Sequence, residues 1–390
     1  MAIEGRGDSA LGKIKYGMVG GGEGAFIGAV HRLAARMDDH YELVAGALSS
    51  SPEKAIRSAK ALGIAPDRSY GDYETMATAE KARNDGIDAV AIVTPNHVHV
   101  PAARAFLKAG IHVICDKPLS TNLKDALALQ KLVKSSGLVF CLTHNYTGYP
   151  MVRHARQMVA DGDLGELRIV QVEYPQDWLT EPIEKTGQKQ AAWRTDPKLS
   201  GGGAIGDIGT HAHNLAAFVS GLELDSVLSD VDTFVKGRKV DDNVNVLLRY
   251  KGGAKGMLWA SQVAVGNENS VKLRVYGTKG GLEWHQEQPN HLTWCSYGKP
   301  QQLLTRGSPA ANASAGRVTR VPPGHPEGYL EGFANIYTEA AAAIRAAQSK
   351  KKPDKAVIYP TINDGVKGIA FIEAVLKSSA KGGKWMKVGA

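Results

Sequence analysis

The segment WRTDPKLSGGGAIGDIGTHAHNL, residues 193–215, brings an acid and two histidines together after three consecutive glycines. If the chain is helical from about Ile205, Asp207 and His211 are four residues apart and share one face. An imidazole oriented by a carboxylate, with an ordinary pKa near ~6.5, is suited to accept an alcohol proton near neutral pH. His213 would lie on another side of such a helix. The spacing favours an acid–base pair over a zinc site, which would need a further ligand that this stretch does not supply, so we expect no metal.

Residues 112–122 read HVICDKPLSTN, an apolar strand that ends in an acid, a lysine and a proline. Pro118 stops the hydrogen-bonded ladder of this strand, so Asp116 and Lys117 come at its carboxyl end. In open α/β sheets, ligands bind at these ends. Taken alone, a histidine and an aspartate one turn apart are more often structural than catalytic, and Lys117 is the residue that favours catalysis.

The segment YGMVGGGEGAFIGAVHR, residues 16–32, places glycines between a predicted strand and a predicted helix. This is the context of a dinucleotide-binding fingerprint, in which glycines let backbone amides approach a pyrophosphate at the helix N-terminus. Gly20 and Gly22 fit the opening G-x-G. Gly28 comes eight residues after Gly20, where the standard motif has five, which indicates a loop lengthened around residues 24–26. The predicted cofactor contacts in this loop are Gly20, Gly22, Phe26 and Ile27.

The second predicted strand ends in AGALSSSPEK, residues 45–54. Ser49 stands where an acidic residue would bind the 2′-hydroxyl of an adenosine ribose. A carboxylate there would repel a 2′-phosphate, whereas Ser49, Ser50 and Lys54 can donate hydrogen bonds to one. These residues favour NADP over NAD, and the competing interpretation is that Ser50-Ser51-Pro52 only caps the next helix.

The composition is that of a globular protein with reduced thiols. A chain of 390 residues exceeds what one hydrophobic core usually organises, so two domains are expected. A net charge of +8 suits anionic ligands or simply solubility, and no dense basic tract indicates nucleic acid. We find neither a signal peptide nor a membrane-length apolar stretch, and Cys115, Cys141 and Cys295 show no C-x-x-C spacing. These features predict a cytoplasmic protein that does not bind membranes.

Two patterns of secondary structure divide the chain. Between Lys15 and about Asn145, short β-branched runs alternate with Ala- and Leu-rich stretches of helical spacing, which predicts βαβ units and a parallel sheet. After Tyr149-Pro150, successive strands are joined by short turns, which predicts antiparallel pairing and an α+β domain. The predicted boundaries are a flexible tail over 1–14, a dinucleotide-binding Rossmann domain over 15–147 and an α+β domain over 148–390.

The chain resembles the glucose-fructose oxidoreductase/inositol dehydrogenase family (GFO/IDH/MocA) over nearly its whole length. The resemblance rests on the glycine loop and on five further motifs, TPNHVH (94–99), AFLKAGIHVICDKPL (105–119), THNYTGYP (143–150), GGGAIGDIGTHAHNL (201–215) and LRVYGTKGGLEW (273–284). It implies a Rossmann domain followed by a domain with a large, mostly antiparallel open sheet. In this family that sheet often forms an oligomer interface, so we expect a homodimer or homotetramer. It also implies oxidation or reduction of a sugar or cyclitol with a nicotinamide cofactor.

The resemblance also implies roles for single residues. Lys117 would bind the reacting hydroxyl, Asp207 would be the acid and His211 the base. The implied cofactor contacts near the nicotinamide are Thr94, Pro95, Asn96, His99, Asp116 and Lys117. The substrate contacts it implies are Lys117, Asn145, Arg194, Asp207 and His211. Two further substrate contacts are suggested by the residues themselves, each with an alternative: Tyr149 as a ring that stacks on a sugar or as a core or interface residue, and His325 in a polar loop, PPGHP, that covers a sugar face or is a plain helix-entry turn.

The chain departs from the family pattern in three places. Asp116 replaces the common glutamate, the cofactor loop is lengthened, and NYTGYP lacks the arginine that often follows its asparagine. The last two departures leave the pyrophosphate geometry and the identity of the sugar open.

The leading hypothesis is a dehydrogenase in which Lys117 stabilises alkoxide character while His211 takes the hydroxyl proton. It requires an ammonium from the first domain and an imidazole from the second to act on the same alcohol. One alternative is an enzyme that cycles a tightly held cofactor between two sugars. The other is a sugar-sensing regulator without turnover, and retention of lysine, aspartate and histidine together argues against it.

Overall fold

The computed structural model of the chain describes residues 12–389. The sequence predicts a flexible tail over residues 1–14. Residues 1–11 of this tail lie outside the described residues, and the first strand begins at its last residue, Ile14. The chain divides into two compact units. The first unit holds the described residues up to Ser120 together with Lys124–Gly148 and Tyr329–Val366, and the second holds Thr121–Leu123, Tyr149–Gly328 and the described residues from Lys367 onward.

The first unit is built on a parallel sheet covered by helices. Its five strands are β1 (Ile14–Gly20), β2 (Tyr41–Ala47), β3 (Ala89–Val93), β4 (His112–Cys115) and β5 (Phe140–Leu142). The helices that follow the strands are α1 (Phe26–Met37), α2 (Pro52–Ala61), α3 (Tyr73–Ala82), α4 (Asn96–Ala109) and α5 (Leu123–Ser136). All five residues of β3 are buried, as expected of a parallel strand covered on both faces.

The strand order of this sheet creates a crevice for a ligand. The order is β2-β1-β3-β4-β5 and each neighbouring pair is parallel. The chain moves outward from β1 to β2 and then returns to the other side of β1 with β3. The point between β1 and β3 is therefore a topological switch point, and ligands bind outside the carboxyl ends of the strands at such points. The predicted Rossmann domain with a parallel sheet is confirmed.

The second unit follows with shorter helices and more strands. Its helices are α6 (Pro150–Ala160), α7 (Lys189–Arg194), α8 (Pro197–Ser200), α9 (Thr210–Ser220) and α10 (Ala313–Arg317). Its strands are β6 (Leu167–Pro175), β7 (Leu224–Asp232), β8 (Asn243–Tyr250), β9 (Lys255–Ser261), β10 (Lys272–Gly277), β11 (Gly280–His285), β12 (His291–Ser296), β13 (Gln302–Thr305) and β14 (Met386–Lys387). Two long helices, α11 (Tyr329–Gln348) and α12 (Ile362–Ala380), occupy the last part of the chain.

The strands of the second unit form one large sheet. Its order is β13-β12-β11-β10-β6-β9-β8-β7-β14, and every pair is antiparallel except β6 with β9. Helices α6 and α9 pack on one face. The strands alternate buried and exposed residues, as in β8, where Asn245, Leu247 and Arg249 are exposed. The large, mostly antiparallel open sheet predicted for this domain is confirmed.

Residues 329–366 pack with the first unit, whereas the sequence patterns assigned them to the second domain. The hydroxyl of Tyr337, on α11, lies 2.8 Å from Nδ1 of the buried His31 on α1. Farther along, Leu142 N at the edge strand β5 donates to Pro360 O over 2.8 Å. These contacts join positions hundreds of residues apart in the chain, so no local pattern predicts them.

Within the described residues, no helix is both long and apolar enough to cross a membrane.

The second unit contains a buried histidine that is neutral at ordinary pH. His213, on α9, is stacked on Phe371 of α12 with ring centroids 4.4 Å apart and planes 12° from parallel. Burial, assisted by the charge of Lys367, lowers its pKa to about 4. Because the unfolded chain takes up this proton near the ordinary value of about 6.5, protonation on acidification favours unfolding. The stability that neutral His213 contributes is present above pH 6.5 and is lost as the pH falls towards 4.

We predict that His213→Phe weakens the acid sensitivity of the second unit. At 1.36 kcal/mol per pKa unit, the wild type should lose about 2 kcal/mol more than the variant between pH 7 and pH 5. Urea unfolding followed by tryptophan fluorescence measures this loss, because Trp178, Trp193, Trp259, Trp284, Trp294 and Trp385 all belong to the second unit.

The exposed His325→Phe in the same unit is the matched control and should keep the wild-type pH dependence. An unchanged pH dependence in His213→Phe would contradict the assignment.

Candidate active site

The glycine loop between β1 and α1 is closed by contact between two backbones. Gly20 ends β1, and α1 begins at Phe26, whose side chain is 68% exposed. A Cβ on Gly28, in the first turn of α1, would lie 2.4 Å from the Cα of Gly21. Only glycine permits this approach, which is the role of the third glycine in a dinucleotide fingerprint. The loop therefore brings its amides and a helix N-terminus to the switch point of the sheet, where a pyrophosphate fits.

The predicted adenosine side of the loop has serines and a lysine but no acid at the end of β2. Ser49 is half-buried and its Oγ accepts from Ser51 N over 3.1 Å, while Ser50 is exposed. Ser51 occupies the N-cap position of α2 without a side-chain capping bond. Lys54, in the first turn of α2, points Nζ to within 4.0 Å of the position that a Cβ on Gly24 would take. A cation is thus close to the lengthened part of the glycine loop.

Three predicted cofactor residues follow β3 directly. Thr94 comes after the last residue of the strand, Pro95 is the N-cap of α4, and Asn96 is its first residue and is buried. The hydroxyl oxygen of Thr94 is buried and has no hydrogen-bond partner within residues 12–389. Buried polar atoms rarely stay unpaired, so this hydroxyl suits a ligand at the carboxyl end of β3. Together with the glycine loop it fits a nicotinamide dinucleotide at this edge.

Lys117 follows β4 at the same edge, beside a carboxylate that several groups hold in place. Asp116 Oδ1 accepts from Lys117 N over 2.9 Å and from Thr143 Oγ1 over 3.0 Å. Behind it, Nε2 of His31 lies 4.0 Å from the same oxygen. Burial lowers the pKa of His31 to about 4, although Asp116 opposes that shift. His31 is therefore a neutral, buried neighbour of Asp116.

Asn145 lies beyond the end of β5, in a 3₁₀ turn over Asn145–Gly148. It is 2% exposed, and its Nδ2 has no hydrogen-bond partner in the described part of the chain. A buried amide donor without a partner is suited to a polar ligand.

The segment that carries Asp207 and His211 is anchored by a buried acid, Asp241. Its carboxylate accepts from Gly203 N over 2.8 Å and from Ile205 N over 2.7 Å. A Cβ on Gly203 would lie 1.8 Å from the backbone oxygen of Asp241, so the chains approach this closely only because residue 203 is glycine. Burial raises the pKa of Asp241, and the two amide hydrogen bonds oppose that shift.

The expected α-helix from Ile205 begins differently. Residues Ile205–Gly209 form a π-helical turn, in which Thr210 N donates to Ile205 O, and regular α-helix starts at Thr210. Asp207 therefore lies on the π turn and His211 on α9. Single π turns inside helices are frequent at functional sites. The sequence placed the helix correctly but did not reveal its wider first turn.

The Asp207 carboxylate is part of a polar cluster in the second unit. Its Oδ2 accepts from Gln262 Nε2 over 2.9 Å and lies 3.4 Å from Nε of Arg194. The Arg194 guanidinium also stacks on Trp193, 4.3 Å from its ring centroid. Arg194, which was expected in the substrate pocket, is thus an ion-pair partner of Asp207, and Gln262 is a contact that the sequence did not indicate.

His211 and His213 have different surroundings. His211 is 8% exposed, and its ring centroid lies 6.3 Å from that of Tyr174 on β6. His213 is stacked on Phe371, as described above. Among residues 12–389, no three His, Cys, Asp or Glu side chains are arranged to hold a metal ion.

The other predicted substrate residues of the second unit lie apart from this cluster in the chain. Tyr149 is buried at the N-cap of α6, with its ring centroid 5.4 Å from that of Trp284. His325 is exposed, in a loop whose base is formed by the buried pair of Arg306 and Glu327, 3.0 Å apart. Arg306 also donates to the backbone oxygen of His325. The loop is therefore held at its base while its tip faces solvent.

Sequence comparison matches both parts of the chain to one family. The family described as "Oxidoreductase family, NAD-binding Rossmann fold" matches residues 14–144, and the "GFO/IDH/MocA C-terminal domain" matches residues 152–283. The crystal structure of an oxidoreductase from Sinorhizobium meliloti is 57% identical, with a TM-score of 0.88 over 96% of this chain and 99% of that chain.

Two further relatives have ligands or activities in their names. An inositol dehydrogenase homologue from Azotobacter vinelandii, solved with NADH and myo-inositol, is 36% identical, with a TM-score of 0.90 over 96% of this chain and 97% of that chain. The levoglucosan dehydrogenase of Pseudarthrobacter phenanthrenivorans is 26% identical over 94% of this chain and 96% of that protein. This chain therefore belongs to the GFO/IDH/MocA family and is an oxidoreductase with an NAD-binding Rossmann domain.

Proposed function

We propose that the protein is an NAD(P)-dependent dehydrogenase that oxidises a secondary alcohol of a sugar, glycoside or cyclitol, or reduces the corresponding ketone. The observation that carries the proposal is the Asp207 cluster, a part-buried carboxylate bound by Gln262 and Arg194 and followed one turn later by His211. Similarity to a structure with bound NADH and myo-inositol and to a levoglucosan dehydrogenase supports a polyhydroxylated substrate.

Each of the three catalytic side chains has a distinct task in this proposal. Lys117 donates a hydrogen bond to the substrate oxygen and stabilises its developing negative charge. His211 accepts the hydroxyl proton during oxidation and returns it during reduction. Asp207, held by Gln262, orients the imidazole and stabilises its protonated form. The nicotinamide, when bound, exchanges a hydride with the substrate carbon.

Substrate recognition is assigned to Asn145, Tyr149, Arg194 and His325. The buried Nδ2 of Asn145, without a partner among the described residues, is the strongest of these assignments because a hydroxyl can accept its hydrogen bond. For Tyr149, whose ring already packs against Trp284, the proposal is an edge or hydroxyl contact. In the proposal, the guanidinium of Arg194 and the exposed imidazole of His325 contact sugar hydroxyls.

We assign cofactor binding to the glycine loop, to the residues after β2 and to those after β3 and β4. Gly20, Gly22, Phe26 and Ile27 would contact the pyrophosphate, Thr94, Pro95 and Asn96 the nicotinamide side, and Asp116 and Lys117 the nicotinamide ribose. NADP is the proposed cofactor because Ser49, Ser50 and Lys54 offer hydrogen-bond donors to a 2′-phosphate, and because position 49 carries no carboxylate that would repel it.

Removing the proposed proton-transfer or charge-stabilising side chain should lower turnover far more than cofactor affinity. We expect Lys117→Ala and His211→Ala each to lower kcat by about 10² to 10⁴, the usual range for a positioned proton-transfer or charge-stabilising group. The measurement is reduced-nicotinamide absorbance with NADP or NAD against a panel of inositols, aldoses and glycosides. Cofactor dissociation constants are measured in parallel by fluorescence.

Lys108→Ala, at an exposed position on α4, and His291→Ala, on β12, are the matched controls and should keep wild-type turnover. Wild-type kcat in both test variants would defeat the catalytic assignment. Bound cofactor with no turnover on any substrate of the panel would instead favour a sensing role.

The NADP preference makes a prediction at Ser49. In Ser49→Asp, the new carboxylate repels a 2′-phosphate and accepts from a ribose 2′-hydroxyl, so the ratio of kcat/KM for NADP to that for NAD should fall at least about tenfold, or about 1.4 kcal/mol. Ser135→Asp, at an exposed position on α5, is the control. Either of two results would rule out the NADP assignment: a wild type that prefers NAD, or a Ser49→Asp variant with the wild-type ratio of kcat/KM for NADP to that for NAD.

We further propose that the open face of the large sheet pairs with a second copy of the chain, giving a homodimer or, through further contacts, a homotetramer. Ile169, Leu247, Met257 and Tyr276 are 38–50% exposed on four adjacent strands of this face. Leu247 and Met257 are directly opposite in the register of β8 and β9. The ion pairs of Arg274 with Glu173 and Glu283 lie on the same face and suit the rim of an interface.

A charge at the centre of this apolar stripe should separate the copies. We expect Leu247→Lys/Met257→Lys to shift the wild-type oligomer to the monomer mass in sedimentation analysis, because two unpaired ammonium groups would be buried. Ile56→Lys, at a 63% exposed apolar position on α2, should leave the mass unchanged. A monomeric wild type, or a double variant of unchanged mass, contradicts the proposal.

Location in the cytoplasm stays a prediction from the sequence.

A further inference from the structure

His99 connects the two loops that carry the proposed nicotinamide and substrate contacts of the first unit. It lies on α4 and is 1% exposed. Its Nδ1 is 2.7 Å from Pro118 O, and its Nε2 is 2.9 Å from Thr94 O. One imidazole thus spans from the segment after β3 to the segment after β4.

The bridge extends the sheet beyond its last backbone contact. Strands β3 and β4 are parallel neighbours, and Asp116 N donates to Ile92 O over 2.9 Å. Thr94 comes two residues after Ile92, and Pro118 comes two residues after Asp116, both beyond the ends of their strands. The imidazole therefore takes over the task of spacing the two chains at the point where strand pairing gives way to loops.

The contacts of the ring exclude a direct hydrogen bond to a cofactor. A neutral imidazole has one N–H donor and an imidazolium has two, and each nitrogen accepts or donates one hydrogen bond. Both nitrogens of His99 already face backbone oxygens at hydrogen-bond distance. Burial lowers the pKa of this imidazole, and Asp116 and the two carbonyl contacts oppose the shift. The ring donates to one carbonyl when neutral and to both when protonated.

The backbone around Lys117 is held on both sides. On one side its own N–H is bound by Asp116 Oδ1, which Thr143 Oγ1 also contacts. On the other side the next carbonyl oxygen, that of Pro118, lies 2.7 Å from Nδ1 of His99. Removing either contact would let the Lys117 backbone move while the strand behind it stays in place.

We propose that His99 is a positioning residue that holds the segments after β3 and β4 at a set separation and thereby determines where the Lys117 ammonium lies. The sequence placed His99 among the cofactor contacts, and its two carbonyl contacts assign it this other role. The proposal rests on the proposed function of Lys117. It follows that substitution of His99 should change turnover far more than cofactor affinity.

The test compares His99→Ala and His99→Gln with His97→Ala, a matched control at an exposed histidine two residues earlier on the same helix. We expect His99→Ala to lower kcat about 10²-fold, the effect expected when a reacting group is misplaced by about 1 Å. The dissociation constant of the reduced cofactor should change less than about threefold. Glutamine can donate to one of the carbonyls, so His99→Gln should recover about tenfold of the lost kcat. His97→Ala should match the wild type.

Hydrogen exchange measured by mass spectrometry gives a readout that does not need turnover. In His99→Ala, peptides that contain residues 94–99 and 116–119 should exchange faster, while peptides from β2 should exchange as in the wild type. If the wild type turns over none of the substrate panel, the proposed function fails, and the exchange result alone then decides the role of His99.

Wild-type kcat with wild-type exchange in His99→Ala overturns the proposal. A second result also overturns it: kcat is unchanged in His99→Ala, and the cofactor dissociation constant rises by the same factor by which kcat/KM falls. His99 would then be a cofactor contact. If His99→Ala does not fold, His99→Gln decides by the same measurements: a lowered kcat at unchanged cofactor affinity supports the role, and wild-type values for both contradict it.

Discussion

The buried carboxylate of Asp241 is the constraint from which the acid–base segment of the second unit is built. It binds the amide of Gly203, just before the π turn, and that of Ile205, the first residue of the turn. Because a side chain on Gly203 would collide with the backbone of Asp241, this close contact requires glycine at position 203. From this anchor the chain places Asp207 where Gln262, next to the end of β9, reaches its carboxylate. Asp241 lies 34 residues downstream of Asp207 in the chain, and Gln262 lies farther downstream still. These two distant residues together define the position of the Asp207 carboxylate.

In the first unit, the order of the strands brings the candidate site residues together. In a parallel sheet all carboxyl ends meet at one edge, so the residues after β1, β3, β4 and β5 gather there although they are far apart in the chain. The contact of Gly21 with Gly28 brings the helix N-terminus to this edge. Asp116, Thr143 and His99 then hold the segment around Lys117. Polar side chains of neighbouring strands act on one another here because the sheet aligns them.

Much of this organisation was accessible from local patterns. The alternation of β-branched runs with helical stretches predicted the parallel sheet, the short turns predicted the antiparallel one, and the glycine loop, the Asp-Lys-Pro strand end and the Asp207–His211 spacing marked the candidate site. Other elements had weak patterns. The helices α3, α7, α8 and α10 and the strands β7, β12, β13 and β14 were not predicted, because short helices and short or partly exposed strands lack a clear hydrophobic period. The roles of Asp241 and Gln262 also escaped, since an acid and an amide in loops have no signature until their partners are known.

The sequence by itself determined the elements with a clear hydrophobic period, the class of each sheet, the family and the chemical types available at the site, because these follow from side-chain period, turn residues and motif spacing within short windows. Tertiary structure decided the rest. It placed residues 329–366 with the first unit through Tyr337 and Pro360, gave Arg194 to Asp207 as an ion-pair partner, and occupied both nitrogens of His99 with backbone carbonyls. These outcomes depend on which groups meet after the chain has folded, and the energies of hydrogen bonds and ion pairs are set by distance and burial, which no short window of sequence contains.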